Sequence, residues 1–232
     1  MSASLILLPG LICDARTFEA QGACFECLMI DGFGACASLE EMARHVLNTG
    51  PERMSILGHS MGGRVALEIW RQAPERVERL ALLNTGVHGV RPGEPDKRFA
   101  LRDLGRTEGM EALVDQWLPP MIAPANQEDP ALMSRLRRMC VEAGLDAFEA
   151  QITALLARSE AASLLPSIDR PVLIATGSED VWAPPEQHRE IAAAIPGSVL
   201  EIIDRAGHML PAEAPERLNE VIAAWLERPA RN

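Results

Sequence analysis

Six short apolar runs, each stopped by turn residues, recur along this chain. They are Leu5–Leu8 before Pro9-Gly10, Cys27–Ile30 before Asp31-Gly32, Met54–Leu57 before Gly58, Leu80–Leu83 before Asn84, Val172–Ala175 before Thr176-Gly177, and Val199–Ile203 before Asp204. A strand with one wet face alternates apolar and polar residues. A run without alternation must be covered on both faces, as the strands of a parallel sheet are. Helical patterns separate most of the runs. Ser38-Leu39-Glu40-Glu41 has the form of a capping box and opens a helix through about Leu47. Pro185–Ala194 and Pro215–Leu226 read as helices with proline at the first turn, where its missing N–H costs nothing. Strands alternating with helices predict an α/β fold: a mostly parallel sheet of about six strands, flanked by helices and joined by right-handed crossovers.

Residues 91–165 break that rhythm. Arg91-Pro92-Gly93-Glu94-Pro95-Asp96 is a loop signal. After it come helical patterns over Lys97–Leu104, Met110–Trp117, Pro130–Glu142 and Leu145–Ser159, with Pro119-Pro120 and Pro124 between the second and third. Leu132, Leu136, Met139 and Cys140 fall at helical spacing and read as packing. A chain of 232 residues, 47% hydrophobic, suits one sizeable core. The expectation is a core of residues 1–90 and 166–232, with 91–165 as a helical cap inserted into the same domain.

The third run leads into Gly58-His59-Ser60-Met61-Gly62, a G-x-S-x-G pattern, and then into the helical Arg64-Val65-Ala66-Leu67-Glu68-Ile69-Trp70. A serine on a sharp strand-to-helix turn presents its hydroxyl above the sheet. Glycines two residues either side relieve the crowding that the turn creates. The free N–H groups of the following helix face any negative charge that develops there. Glycine-rich turns of this kind also hold phosphates, but the phosphate-loop and dinucleotide fingerprints are absent.

A nucleophilic serine needs a base and an acid. Of the five histidines, His45 lies within the helix after Ser38 and reads as surface, and His188 within Pro185–Ala194 reads as exposed. His59 sits inside the turn, where its side chain is expected to point away from Ser60. His88 opens the insertion and can reach a pocket. His208, in Arg205-Ala206-Gly207-His208-Met209-Leu210-Pro211, follows the last strand and so reaches the sheet edge that Ser60 occupies. Asp180 follows another strand, in Thr176-Gly177-Ser178-Glu179-Asp180-Val181-Trp182-Ala183-Pro184. A carboxylate behind the histidine would fix its tautomer. Glu179 and Asp204 are competitors for that role.

The order Ser…Asp…His on a parallel sheet, with G-x-S-x-G, resembles the α/β-hydrolase superfamily across residues 4–90 and 166–228. Gly177–Pro184 is similar to the family's acid loop, and Ala206-Gly207-His208 followed by Glu213 and Pro215 to its histidine loop. The resemblance implies Ser60 as nucleophile, His208 as base, Asp180 as acid, and the backbone N–H groups of Met61 and Leu11 as the oxyanion hole. Leu8-Pro9-Gly10-Leu11-Ile12 departs from the family's usual His-Gly-x by carrying proline, which leaves the backbone donor in place. The usual first antiparallel hairpin is also missing from the pattern. Ile12, Asp14, Arg16, His88 and Trp182 are candidate substrate contacts, and His88, Arg91 and Arg98 are candidates for a substrate carboxylate.

Composition narrows the partners. With 22 basic and 33 acidic residues, the net charge of −11 argues against nucleic acid or an anionic membrane as main partner. The expected partner is a small-molecule acyl substrate. Five cysteines without a regular framework suggest reduced thiols and a cytoplasmic location. Cys24 and Cys27 form a C-x-x-C without a second ligand pair, so no metal is expected, and the chemistry needs no organic cofactor. No signal core or membrane-spanning run is visible. The predicted activity is that of a serine hydrolase on an ester, thioester or related acyl bond. The same three residues also serve carbon–carbon bond hydrolases, lactonases, haloperoxidases and lyases, or a ligand sensor that signals to a partner protein.

Overall fold

A computed structural model describes residues 4–229. Six strands form one wholly parallel sheet: β1 (Ser4–Leu8), β2 (Cys27–Met29), β3 (Met54–His59), β4 (Val77–Leu83), β5 (Val172–Gly177) and β6 (Val199–Ile203). Their order is β2-β1-β3-β4-β5-β6. One row across the sheet pairs Ile6 with Ile56, Ile56 with Leu80 and Leu80 with Val172. The fold class is the one predicted from the sequence. Strand β4 starts three residues earlier than the apolar run, at Val77-Glu78-Arg79, because an exposed Arg53 takes up the Glu78 carboxylate and Arg79 reaches the Arg228 carbonyl.

Alternate strand residues feed two cores. Ile6, Leu8, Ile56, Leu80, Leu82 and Ile174 face one way, onto α2 (Leu39–Thr49), α3 (Met61–Gln72) and α8 (Pro185–Ala194). Leu5, Leu7, Leu57, Ala81, Leu83 and Leu173 face the other, where Phe18 and Leu218, Ile222 and Trp225 of α10 (Pro215–Leu226) pack. Two short helices were not anticipated: α1 (Glu19–Cys24) and α9 (Leu210–Glu213).

Between β4 and β5 run α4 (Glu94–Glu108), α5 (Met110–Trp117), α6 (Pro130–Ala143) and α7 (Leu145–Leu156). Helix α4 begins inside the predicted loop signal. Proline is tolerated in a first helical turn, so Pro95 flanked by Glu94 and Asp96 opens the helix instead of blocking it. The buried Leu113, Trp117, Leu136, Met139 and Phe148 of these helices join the first core without a break.

The chain passes from β1 outward to β2, then returns to place β3 on the other side of β1. Connections on the two sides of that switch leave a crevice beyond the carboxyl ends of β1 and β3. Leu11 and Ser60 stand at its two lips. Among the described residues no helix is long and apolar enough to cross a membrane.

Candidate active site

Ser60 is the residue between β3 and α3, with φ 55° and ψ −114°. This left-handed backbone costs a residue with a side chain about 1–3 kcal/mol, and the surroundings hold it. The Ser60 N–H donates to the Leu83 carbonyl (2.8 Å), and the Thr85 hydroxyl donates to the Ser60 carbonyl (2.7 Å). The flanking glycines are steric necessities. A Cβ on Gly58 would stand 2.3 Å from the Gly62 carbonyl oxygen, and one on Gly62 would stand 2.1 Å from that of Leu8.

Three strand ends converge on the serine. Ser60 Oγ lies 2.8 Å from His208 Nε2, and His208 Nδ1 lies 2.9 Å from Asp180 Oδ2. Asp180 is buried, while Glu179 and Asp204 are exposed, so of the three acids Asp180 is the one that meets the imidazole. The Asp180 oxygens also accept from the N–H groups of Trp182 (2.8 Å) and Ala183 (2.9 Å) and from Asn84 Nδ2 (2.8 Å). Burial pushes its carboxyl up, but the imidazole, these amides and Asn84 outweigh burial and hold it well below the usual carboxylate range.

The loop carrying His208 is tied down by its backbone. The His208 N–H donates to the Met121 carbonyl (2.7 Å). The carboxylate of Glu213 accepts from the N–H groups of Gly207 (3.0 Å), Met209 (2.9 Å) and Ala123 (2.8 Å). His59 is buried, with its ring 5.5 Å from that of His208, and donates through Nε2 to the His208 carbonyl (2.7 Å). Burial, then the neighbouring His208, push the His59 imidazole down to about 3, so it stays neutral.

On the opposite lip, Leu11 follows β1, and the N–H of Ile12 donates to Gln151 Oε1 of α7 (2.8 Å). Gln151 Nε2 donates in turn to the Gly34 carbonyl (3.0 Å). A residue of the insertion therefore sets the position of the β1 loop. The Met61 N–H is the first of α3 and has no partner within the helix.

These features surround a cavity of about 370 Å³. Leu11, Ser60, Met61, His88, Trp182 and His208 line it, as do Arg91 and Arg98. Three predicted contacts do not. Ile12 is buried in the core at φ 48°, and Asp14 and Arg16 pair with each other (2.6 Å), with Arg16 also bridging to Glu142 of α6. They anchor the loop, and Cys13 takes the place at the wall. His188, read as exposed, is fully buried. Its Nε2 accepts from the Thr85 N–H (3.1 Å), because the face of α8 on which it lies packs against the end of β4. Cys24 and Cys27 are free thiols, away from the cavity.

Asn84, Gln151 and Glu213 are the residues that sequence reasoning missed as supports of the site. A polar Gln151 on a helix face otherwise made of Phe148, Ile152 and Leu155 was the available signal for one of them.

Residues 11–221 match the model of the Alpha/beta hydrolase family. The chain is 25% identical over 183 residues to the 2-hydroxy-6-oxononadienedioate/2-hydroxy-6-oxononatrienedioate hydrolase of a Pseudomonas species, covering 77% of this chain and 65% of that protein. It is 28% identical over 201 residues to the pimeloyl acyl-carrier-protein methyl ester esterase of Nitrosomonas europaea, covering 81% of this chain and 79% of the esterase. A thermophilic esterase from Thermogutta terrifontis has a similar structure, with a TM-score of 0.88 at 26% identity over 97% of this chain and 90% of that one.

Proposed function

The chain belongs to the α/β-hydrolase family, and we propose that within it this protein is a serine hydrolase cleaving an ester, thioester or related acyl bond of a small molecule. The observation that carries the reading is the unbroken hydrogen-bond chain from Ser60 Oγ through His208 to Asp180, at 2.8 and 2.9 Å. On this reading His208 Nε2 takes the Ser60 proton as Oγ attacks the carbonyl carbon. Asp180 holds the Nδ1–H tautomer and stabilises the imidazolium that forms. The N–H groups of Met61 and Leu11 receive the oxyanion. His208 then gives its proton to the leaving group, and a water deprotonated by His208 releases the acyl group from Ser60.

We read residues 91–165 as a cap that shapes the acyl site. Its Leu101, Trp117, Phe148 and Leu155 supply an apolar wall facing Ser60 and His208. The five cysteines, without a disulfide framework, are the ground for placing the enzyme in a reducing compartment such as the cytoplasm.

The named activities of the relatives differ, so the bond is tested on a panel of small esters, thioesters and lactones. Ser60→Ala is expected to abolish turnover, a loss on the order of 10⁵-fold or more in kcat. Full activity in that variant would remove Ser60 from the reaction. Labelling by a fluorophosphonate without multiple turnover on any substrate of the panel would instead favour the ligand-sensor reading.

A further inference from the structure

The chain carries a net charge of −11, yet its cavity wall is cationic. Arg64, Arg91, Lys97, Arg98 and Arg158 line it against a single acid, Glu94. Glu94 is committed. It takes Arg158 (2.6 Å) and Arg98 (2.8 Å). Arg158 is saturated as well: Nε donates to the His88 carbonyl, Nη1 to Glu94 and the Leu155 carbonyl, and Nη2 to the Gly89 carbonyl and Glu94. All five of its N–H groups have acceptors, so it serves as scaffold.

Arg64 is the contrast. It stands on α3, one turn after Ser60, and lines the same cavity. Its protein acceptor is the His88 carbonyl, met by Nη1 at 3.0 Å, and among the described residues it pairs with no carboxylate. The Arg91 guanidinium beside it pairs with no carboxylate among the described residues, although the Arg91 backbone N–H donates to Glu94 Oε2 (3.2 Å). Its Nη2 donates to neutral His88 Nδ1 (3.2 Å) and lies 3.5 Å from Gln187 Oε1. Room beside Arg64 is kept by a glycine. A Cβ on Gly86 would stand 2.7 Å from Gln187 Nε2, 2.8 Å from His88 Cε1 and 3.1 Å from Arg64 Nη2. Half-buried Arg64 and exposed Arg91 beyond it thus have guanidinium groups that Glu94, taken by Arg98 and Arg158, does not pair with, and both line the cavity. A planar fork of this kind matches a carboxylate.

We propose that Arg64, with Arg91 at its outer side, binds a second, free carboxylate of the substrate, so that the enzyme acts on acyl compounds such as the hemiesters of dicarboxylic acids. The proposal rests on the reading of Ser60 as the nucleophile, because Arg64 sets the anionic group one helical turn from the attacked carbonyl. Apolar Leu101, Phe148 and Leu155 then cover the chain between the two ends. The crowding of cations agrees with an anion partner: burial, then Arg64 and Arg91, push the His88 imidazole down to about 4.

The test compares monomethyl succinate, glutarate and adipate with methyl butyrate, pentanoate and hexanoate in the full-length protein. At the matching length, kcat/KM is expected to favour the hemiester at least tenfold. Arg64→Gln is expected to lower that ratio at least tenfold, and Arg64→Lys by less. Gly86→Ala, which fills the cradle while keeping both arginines, is expected to lower the ratio too and guards against a misfolded Arg64 variant. Equal treatment of hemiester and neutral ester, or a ratio unmoved by Arg64→Gln and Gly86→Ala, overturns the carboxylate site while leaving Ser60 in place. Calorimetric titration of monomethyl adipate into Ser60→Ala separates the two readings. Binding that disappears on adding Arg64→Gln, alongside a wild type that turns over no ester, overturns the nucleophile and keeps the site. Inorganic phosphate competing more tightly than adipate overturns the choice of carboxylate.

Discussion

Asn84 ties three strand ends together. It closes β4 at φ 48°, a conformation that asparagine tolerates better than most side chains. Its Nδ2 donates to Asp180 Oδ2 (2.8 Å), and also reaches the Gly207 carbonyl (3.2 Å) and Thr176 Oγ1 (3.3 Å). A hydrogen bond to a charged group contributes about 1.5–3 kcal/mol, so its loss is worth about 10–100-fold if the whole effect reaches the transition state. Asn84→Gly keeps the backbone conformation and removes the side chain. It is expected to lower kcat within that range with a smaller change in KM. Steady-state kinetics on the best ester of the panel checks this, and an unchanged kcat would limit Asn84 to packing. Ser60, Asp180 and His208 were legible because each stands in a loop directly after an apolar run, so the sheet itself assigns them to one edge. Asn84 and Glu213 also stand near such ends. The role of Asn84 depends on Asp180, 96 positions away, which no local pattern encodes, whereas Glu213 holds the nearby Gly207 and Met209 N–H groups as well as distant Ala123.

Helix α7 shows how one element serves two purposes. Phe148, Ile152 and Leu155 bury its apolar face in the core, while Gln151 from the same face reaches the Ile12 N–H and the Gly34 carbonyl. Gln151→Met keeps length and volume but leaves the buried Ile12 N–H unpaired, which costs about 1–3 kcal/mol, while the Gly34 carbonyl on an exposed turn can accept from water. Urea denaturation is expected to show that loss. kcat is expected to fall as well, because the β1 loop carrying Leu11 loses its anchor. A variant as stable as the parent would mean that water or a local shift replaces the bond to the Ile12 N–H. At this scale the sequence was a good guide where apolar periodicity met a proline at the first turn, as at Pro130, Pro185 and Pro215. It was a poor guide at α1, whose six residues contribute Gln21 as their buried residue. A helix that short has too little apolar stripe for periodicity to register, and it is held by its neighbours, through Gln21 Nε2 on Asn219 of α10 (3.0 Å).

Across the whole molecule, the sheet edge gathers its histidines in dry surroundings. His59 is 1% exposed and His188 is fully buried. Burial is the leading cause that pushes their imidazoles down from 6.5 to about 3 and about 4. The folded values lie below the unfolded one, so the unfolded chain takes up protons first as the pH falls. The stability that these neutral side chains contribute is complete above about pH 6.5 and is lost progressively towards pH 4. Inside that window the loss is on the order of 1 kcal/mol per group per pH unit, against a total on the order of 5–15 kcal/mol for a domain. The carboxylates add nothing to the early part of this slope. Glu94 is held down to about 2, because Arg158 and Arg98 outweigh the burial that raises it, so its contribution is lost only below about 4.5. Urea midpoints measured at pH 7, 6, 5 and 4.5 are therefore expected to fall from about pH 6.5 downward. His188→Gln keeps an acceptor for the Thr85 N–H and cannot be protonated. In that variant the pH slope is expected to shrink by roughly a third, since His88, held down to about 4, shares it with His59 and His188. A slope identical to the parent's in the double variant His59→Gln, His188→Gln would assign the acid sensitivity to His88 and the carboxylates instead.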